Sequence, residues 1–399
     1  MKPGSWPSIG LIYAYGVLGS ASLSKIIPLQ QDYGAHVGTS PAQFALLISL
    51  LTIPPAFFAT IGGGIIDRVG ARRTLITAAL AGAAVNSAYL FAASLPVFQV
   101  IRVLEGFVLV GAYSAAPALI IATAAPERRG PAMAFWSTYT PVGVSLGLAL
   151  SSVFAGETFW RGSYLVHALL FLAIAGAGVL LPQPPRVAAP RARFSSLLAA
   201  YAESGPLRVA LTFAALVIMG FGVNTVFPSW YSQTHGVSLS AAASLLAGAN
   251  LTMIAGSLGV GLLIARGVPA IRVFVGLAVL SIGAAALLFS PGVTPPTFYA
   301  SLLLWLVTSG AATAIVTATL PRVVASPMQA AAATGLLSQM AALATFVTPP
   351  LWLPLLARGQ SGAFVVIVAA AWLAALLLLP PARPALPSTG APAGAPPGP

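Results

Sequence analysis

The chain has 399 residues, 58% of them hydrophobic and 6% charged, with a mean hydropathy of +0.95, where soluble domains carry about 25% charged residues. A soluble domain so composed would lack polar surface, so the chain is an integral membrane protein. Its net charge of +12 comes from short basic groups between long apolar runs, not from the clustered patch that nucleic-acid phosphates require, and the absence of cysteine excludes disulfides, thiolate nucleophiles and Cys-based metal sites.

About 20 apolar residues carry a helix across the hydrocarbon core. Twelve runs qualify, over 8–29, 42–66, 72–94, 97–123, 131–155, 162–181, 208–231, 239–264, 270–290, 296–320, 328–355 and 362–380. They are continuous and not alternating with period two, which argues against a β-barrel. The first run follows Lys2 and has small residues near Ala21, but it is too long for a signal peptide and a second span follows it.

Basic residues set the orientation. With the N-terminus inside, the inner segments hold Lys2, Arg68, Arg72, Arg73, Arg128, Arg129, Arg186, Arg191, Arg193, Arg208, Arg266, Arg272, Arg322 and Arg383, fourteen of the eighteen. Outer loops hold only Arg161 and Arg358, and Lys25 and Arg102 fall within spans. Both termini are therefore expected in the cytoplasm, with a bacterial inner membrane as the expected location.

A Pro- and Arg-rich inner loop divides the spans into two sets of six. The expected organisation is a first six-helix bundle over 1–181, a cytoplasmic linker over 182–207, a second bundle over 208–381 and a Pro/Ala/Gly-rich disordered tail over 382–399. The halves resemble each other at an offset near 200. Pro28 corresponds to Pro228, His36-Val37-Gly38 to His235-Gly236-Val237, and Gly63-Gly64-Ile65-Ile66-Asp67-Arg68 to Gly261-Leu262-Leu263-Ile264-Ala265-Arg266. Three matches in order argue for a duplicated bundle, the architecture of many secondary transporters.

The loop after span two reads Gly63-Gly64-Ile65-Ile66-Asp67-Arg68-Val69-Gly70-Ala71-Arg72-Arg73. It resembles the G-x-L-x-D-R-x-G-R-R-R element of the major facilitator superfamily, departing at Ile65 and Ala71. Ile101-Arg102-Val103-Leu104-Glu105-Gly106 in span four is similar to that superfamily's R-x-x-[QE]-G element, and Trp160-Arg161 is typical at the opening of span six. The resemblance covers about 1–381. Ser24-Lys25-Ile26-Ile27-Pro28 and Ala116-Pro117-Ala118-Leu119-Ile120 also resemble the cyanate-transporter-like branch. The antiporter element of span five is not met, because Thr140 stands where glycine precedes Pro141; Gly143 and Gly147 still form a small-xxx-small pair suited to close helix packing.

The resemblance implies an all-α fold of two pseudo-symmetric six-helix bundles with spans one, four, seven and ten lining a central cavity. It also implies that Asp67 latches the bundles on the inside, with Arg68, Gly70, Arg72 and Arg73 completing a cytoplasmic gate. Ser326-Pro327 reads as the start of span eleven, a helix N-terminus attractive to the Asp67 carboxylate. The alternative is that the loop serves only as a positive-inside anchor. Ala265 replaces the aspartate in the second half, so the gate should be asymmetric.

Ionisable residues within spans are costly and point to function. Lys25, Arg102, Glu105 and His167 qualify. At 1.5 Å per residue, Lys25, Arg102 and Glu105 share a depth of roughly 7–12 Å below the outer surface, with Asn224 at a similar level. Lys25 and Arg102 could face one solute, with Asn224 supplying an amide and Tyr113, Tyr13, Tyr15, Trp230 and Trp305 aromatic walls. Equally, Lys25 could snorkel to the interface and the aromatics could pack or face lipid. Glu105, one turn from Arg102, is either a structural partner or a proton-coupling group. His167 reads first as a packing donor.

The expected function is secondary transport of a small organic anion or zwitterion by alternating access, coupled to protons, by a monomer needing no cofactor or metal. An exporter of a drug-like metabolite or siderophore is the alternative within the class. A membrane enzyme would need a nucleophile, metal or acid/base set that the sequence lacks, a transport-inactive sensor would normally carry a further signalling domain, and no ATP-binding G-x-x-x-x-G-K-[ST] loop is present.

Overall fold

The computed structural model describes residues 1–59, 69–183, 204–290, 292–324 and 327–380, without the side chains of 321 and 327–332. Asp67, Arg68 and Ser326 of the expected gate lie outside these residues.

All regular structure among the described residues is helical. Span one comprises α1 (Trp6–Ser24), a 3₁₀ turn (Ile27–Leu29) and α2 (Gln30–Val37). Span two begins with α3 (Pro41–Leu50) and continues as helix over 53–59. Then follow α4 (Ala71–Ala88), α5 (Leu95–Thr123), α6 (Pro126–Trp136), α7 (Tyr139–Ser152) and α8 (Gly162–Ala177). The second half contains α9 (Ser204–His235), α10 (Leu239–Asn250), α11 (Thr252–Ala265), α12 (Ala270–Leu288), α13 (Pro295–Val323), α14 (Pro327–Ala357) and α15 (Gly362–Leu378). Spans five and eight are each two helices, α6–α7 and α10–α11, so the elements make the twelve expected spans.

Local sequence sets many of the starts. Ser40 accepts from the Gln43 amide while the Gln43 side chain accepts from the Ser40 amide, and Pro41 follows, a capping box with proline in the first turn. Ser238 caps α10 by a single bond, its hydroxyl accepting from the Ala241 amide. The expected boundaries shift where sequence hydropathy runs past a break. Span one extends to Val37 through a kink at Pro28, and span five starts earlier, at Pro126, and breaks at Ser137-Thr138.

The two halves pack alike. In the first, α1 crosses α7, α3 and α4 lie against α5, and α4 lies against α8. In the second, α9 crosses α14, α11 and α12 lie against α13, and α12 lies against α15. Gly38 and Gly236, and likewise Gly70 and Gly267, hold positive φ at corresponding loops, a conformation that favours glycine. Gly143 and Gly147 sit against Val17, Ser20, Ala21 and Ser24 of α1 with no room for a Cβ. That close crossing is the small-xxx-small packing read from the sequence.

Helix alternation gives the molecule a terminal face, which carries the N-terminus, and a distal face. Cations cap carbonyls at corresponding helix ends on the terminal face. The Met1 ammonium and Arg72 donate to Leu180 and Val179, and Arg208 donates to Leu377 and Leu378. Among the described residues, the main packing between the bundles is at the distal half: α7 against α10, α3 against α14, and Ile27–Leu29 against α9 and α10. Ser229 Oγ donates to Gln30 Oε1 at 2.7 Å, and Ser240 Oγ donates to the Ser152 carbonyl, both across this seam.

Candidate functional site

The site starts from two interrupted helices. Pro28 has no amide proton, and span one loosens into a turn after Ser24. In span two, Leu51 and Thr52 form a turn before Pro54-Pro55, and their amides go to Ser49. Helix carbonyls on either break are therefore open to side-chain donors. Arg102 of α5 takes them: Nε donates to Leu47 O at 2.9 Å, Nη2 to Ile48 O at 3.3 Å and Nη1 to Ser22 O at 3.0 Å. Gly106, one turn on, has no side chain to meet Leu51 O and Pro54, which lets α5 approach the break.

The remaining Arg102 bond joins it to a charge cluster. Nη1 also donates to Glu105 Oε2 at 2.8 Å, and Tyr89 OH donates to the same oxygen at 2.9 Å. Lys25 Nζ pairs with Glu105 Oε1 and donates to Asn86 Oδ1. Asn86 itself donates to Gly82 O. The third Lys25 contact is His167 Nδ1 at 3.4 Å, and His167 Nε2 lies 3.1 Å from Leu18 O. A carbonyl can only accept and an ammonium can only donate, so the proton of neutral His167 sits on Nε2 and Nδ1 is bare. Stacked Tyr89 and Tyr164 rings, 4.3 Å apart, present their faces to Lys25 Nζ at 5.0 and 5.1 Å, and Tyr33 OH meets Tyr164 OH at 2.6 Å.

Lys25, Asn86, Arg102, Glu105 and His167 are all 0% exposed. Two cations and one carboxylate leave one net positive charge inside the first bundle. Glu105 thus pairs with Arg102 as the one-turn spacing implied, and with Lys25 besides. Lys25 does not snorkel. His167 is a packing donor and also a neighbour of the buried ammonium.

Asn224 belongs elsewhere. It lies in α9 of the second bundle, donates to Gly220 O at 2.9 Å and accepts from Asn250 Nδ2 at 2.6 Å. In this conformation Lys25 and Arg102 face the interior of their own bundle and share no contact with Asn224. The aromatic residues divide in a similar way. Tyr15 is buried and donates to Ile174 O, and Trp230 and Trp305 pack inside the second bundle. Tyr13 and Tyr113 are only partly buried: Tyr13 OH meets Thr138 Oγ1 at 3.0 Å, Tyr113 OH meets Ser20 Oγ at 2.8 Å, and Tyr139 packs against Tyr113 at 5.0 Å. These rings form an aromatic group on spans one, four and five. On the terminal face Gly70 precedes α4 with φ 92°, Arg72 is bound to Val179 O, and Arg73 is exposed.

Sequence reasoning missed Asn86, Tyr89 and Tyr164 as members of the cluster. Asn86 was visible as one of only three asparagines, each alone in an apolar run. The tyrosines gave no such signal, because the chain holds ten of them and nothing in their spacing singles these two out.

Among curated proteins no sequence matches this chain. A crystal structure described as a bacterial homologue of the human lysosomal transporter Spinster, in an inward-facing and unoccupied conformation, is similar with a TM-score of 0.70. It is 16% identical, over 94% of this chain and 95% of that one. The occupied inward-facing form of such a homologue gives 0.68 and 17%, with the same coverage. At these identities the likeness is one of fold. The family model described as Major Facilitator Superfamily matches residues 9–349, and the chain belongs to that superfamily: it is a multi-pass membrane protein of the secondary-transporter class and not an enzyme.

Proposed function

We propose that this protein moves a small organic anion or zwitterion by alternating access, coupled to protons, with the Glu105 cluster as the coupling unit. The observation that carries this reading is the enclosed set of Lys25, Arg102 and Glu105. Two buried cations against one carboxylate project a positive potential through a low-dielectric bundle, which favours an anionic solute between the bundles. A buried ion cluster is a poor way to gain stability, so its presence supports a functional role. Arg102 and Lys25 attract the solute by charge, Tyr113 and Tyr13 offer it ring faces, and Asn224 flanks it from the other bundle. Glu105 and Arg102 link its arrival to proton movement.

With the termini in the cytoplasm of a bacterial cell, the distal seam is the outer gate, and its helices are packed together in this structure. Asp67, Arg68, Gly70, Arg72 and Arg73 then form the cytoplasmic gate that closes in the opposite state. The partly buried aromatic group favours a second reading, export of a ring-bearing, drug-like metabolite.

Thermal unfolding of purified protein with a panel of carboxylates, zwitterions, neutral and cationic metabolites separates the two, since a ligand stabilises the state it binds. The expected result is stabilisation by carboxylates in the wild type, lost in Arg102→Ala and Lys25→Ala. Stabilisation only by bulky neutral or cationic compounds would replace the anion reading with the export reading.

A further inference from the structure

The cluster contains a pair whose geometry allows a proton to pass from one member to the other without leaving either unpaired. Lys25 Nζ has three acceptors, Glu105 Oε1, Asn86 Oδ1 and His167 Nδ1. Glu105 is held by both cations and by Tyr89 OH. Arg102 is fixed on three carbonyls as well as on Glu105 and does not titrate. The groups facing Lys25 are therefore Glu105 and Arg102 from α5, Asn86 from α4 and Tyr89 just after it, and His167 and Tyr164 from α8. Tyr33, behind Tyr164, completes the set.

We propose that Lys25 and His167 together hold the exchangeable proton, that Glu105 stays ionised as their fixed counter-charge, and that proton loss through His167 pushes span one away from span six. This inference rests on the proton-coupled reading above. The steps balance as follows. An N–H bond of the Lys25 ammonium breaks as an Nδ1–H bond forms on His167 along the 3.4 Å contact, giving a neutral amine and an imidazolium. The imidazolium then gives its Nε2 proton to water, and the cluster falls from one net positive charge to none. The amine still donates to Glu105 and Asn86, and its lone pair accepts from the new Nδ1–H. Only one contact suffers. Nε2 now points a lone pair at Leu18 O, 3.1 Å away, where before it donated a proton.

That change of sign falls on α1, and span one carries the Ile27–Leu29 turn that packs against α9 and α10 of the other bundle. Removing one proton from a buried pair thus acts on the helix that meets the opposite bundle. The site needs no movement of Arg102, which would break three helix contacts. The mobile charge and the mechanical contact are separated by a single imidazole ring.

The chain suits a direct test. It has only two lysines, Lys2 and Lys25, and no cysteine. In Lys2→Arg protein labelled with ¹⁵N-lysine, the one Nζ resonance belongs to Lys25, and infrared difference spectra report any protonated carboxyl. Between about pH 5 and pH 9 the expected result is passage of that resonance from the ammonium to the amine position, with no carboxylic acid band that is absent from Glu105→Gln. A carboxylic acid band that Glu105→Gln abolishes would overturn the proposal and leave proton coupling at the cluster intact. Constancy of both groups across that range would overturn the coupled reading itself. A second readout uses a single cysteine at Ser229, which is 5% exposed in the distal seam. Its labelling by a membrane-impermeant maleimide, taken relative to the unfolded protein labelled at the same pH so that thiolate formation cancels, should change severalfold with pH in the parent. His167→Gln can still donate to Leu18 O but carries no titrating proton, so the pH response should vanish while the protein stays folded. An unchanged pH response in His167→Gln would overturn the mechanical half of the proposal.

Discussion

The two bundles share a packing plan but not an interior. In the first, two ion pairs, an amide, an imidazole and three tyrosines meet where spans one, three, four and six converge. In the second, no carboxylate occurs after Glu203, and the interior is built from Trp305, Trp352 and Trp372 packed with Phe274, Phe289 and Phe364. The indole nitrogens of all three tryptophans lack a partner, and Asn224–Asn250 is a buried side-chain hydrogen bond between two of this bundle's helices. Helix crossings are matched nonetheless. Gly143 and Gly147 seat α7 on α1, and Gly222 seats the Trp352 ring on α9. The shared plan is therefore set by apolar faces and glycine contacts. Among the described residues, buried charges are an addition that only the first bundle carries.

If this comparison holds, substitutions should cost very different amounts in the two bundles. The largest effect is expected from Glu105→Leu, which leaves Lys25 and Arg102 buried without a counter-charge and should lower stability by about 3–5 kcal/mol, read as a fall in the unfolding temperature in detergent. Replacing all three ions by Met or Leu should restore most of that loss. A triple variant as unstable as Glu105→Leu would mean the ions hold the bundle together, and the contrast would fail. In the second bundle, Asn224→Leu strands the Asn250 amide and should cost about 1–3 kcal/mol, while Asn224→Leu with Asn250→Leu should come out near zero. A double variant that loses as much as the sum of the two singles would show that the two amides act independently and that their pairing is not what the singles lose. The smallest effect belongs to the seam. Ser229→Ala removes the bond to Gln30 and should shift the balance between distal-closed and distal-open by about 0.5–1.5 kcal/mol. That is roughly a two- to tenfold change in the accessibility of a cysteine placed nearby on the distal face.

The fold was largely legible in the sequence, because twelve apolar runs of spanning length leave few architectures. The breaks were less so. Pro28 and Pro54-Pro55 signal interruptions, but whether a proline kinks a span or ends it depends on which donor satisfies the freed carbonyls. Here that donor is Arg102, dozens of residues away from each. Depth arithmetic placed Lys25, Arg102 and Glu105 on one level, and they do share one cluster. It did not give their direction. When nearly every face of a helix is apolar, no moment distinguishes the side toward a cavity from the side toward a neighbouring helix. That is why Lys25 read equally well as a solute contact and as a snorkelling residue, and why Asn224 was grouped with it across the bundles.

Enclosure of the cluster also constrains how the chain is made. Lys25 enters the membrane with span one, Arg102 and Glu105 with span four, Asn86 with span three and His167 with span six. A Lys or Arg at the centre of a lone inserting helix costs about 2.5–3.5 kcal/mol. Until span four arrives, Lys25 has no carboxylate to meet, and until span six arrives its third acceptor is missing. The first half must therefore wait as a partly assembled set, its charges drawn toward the lipid headgroups or shielded by the insertion machinery. The second half, without a carboxylate, can settle span by span. A ribosome pausing in the linker would give the first half time to close before the second begins.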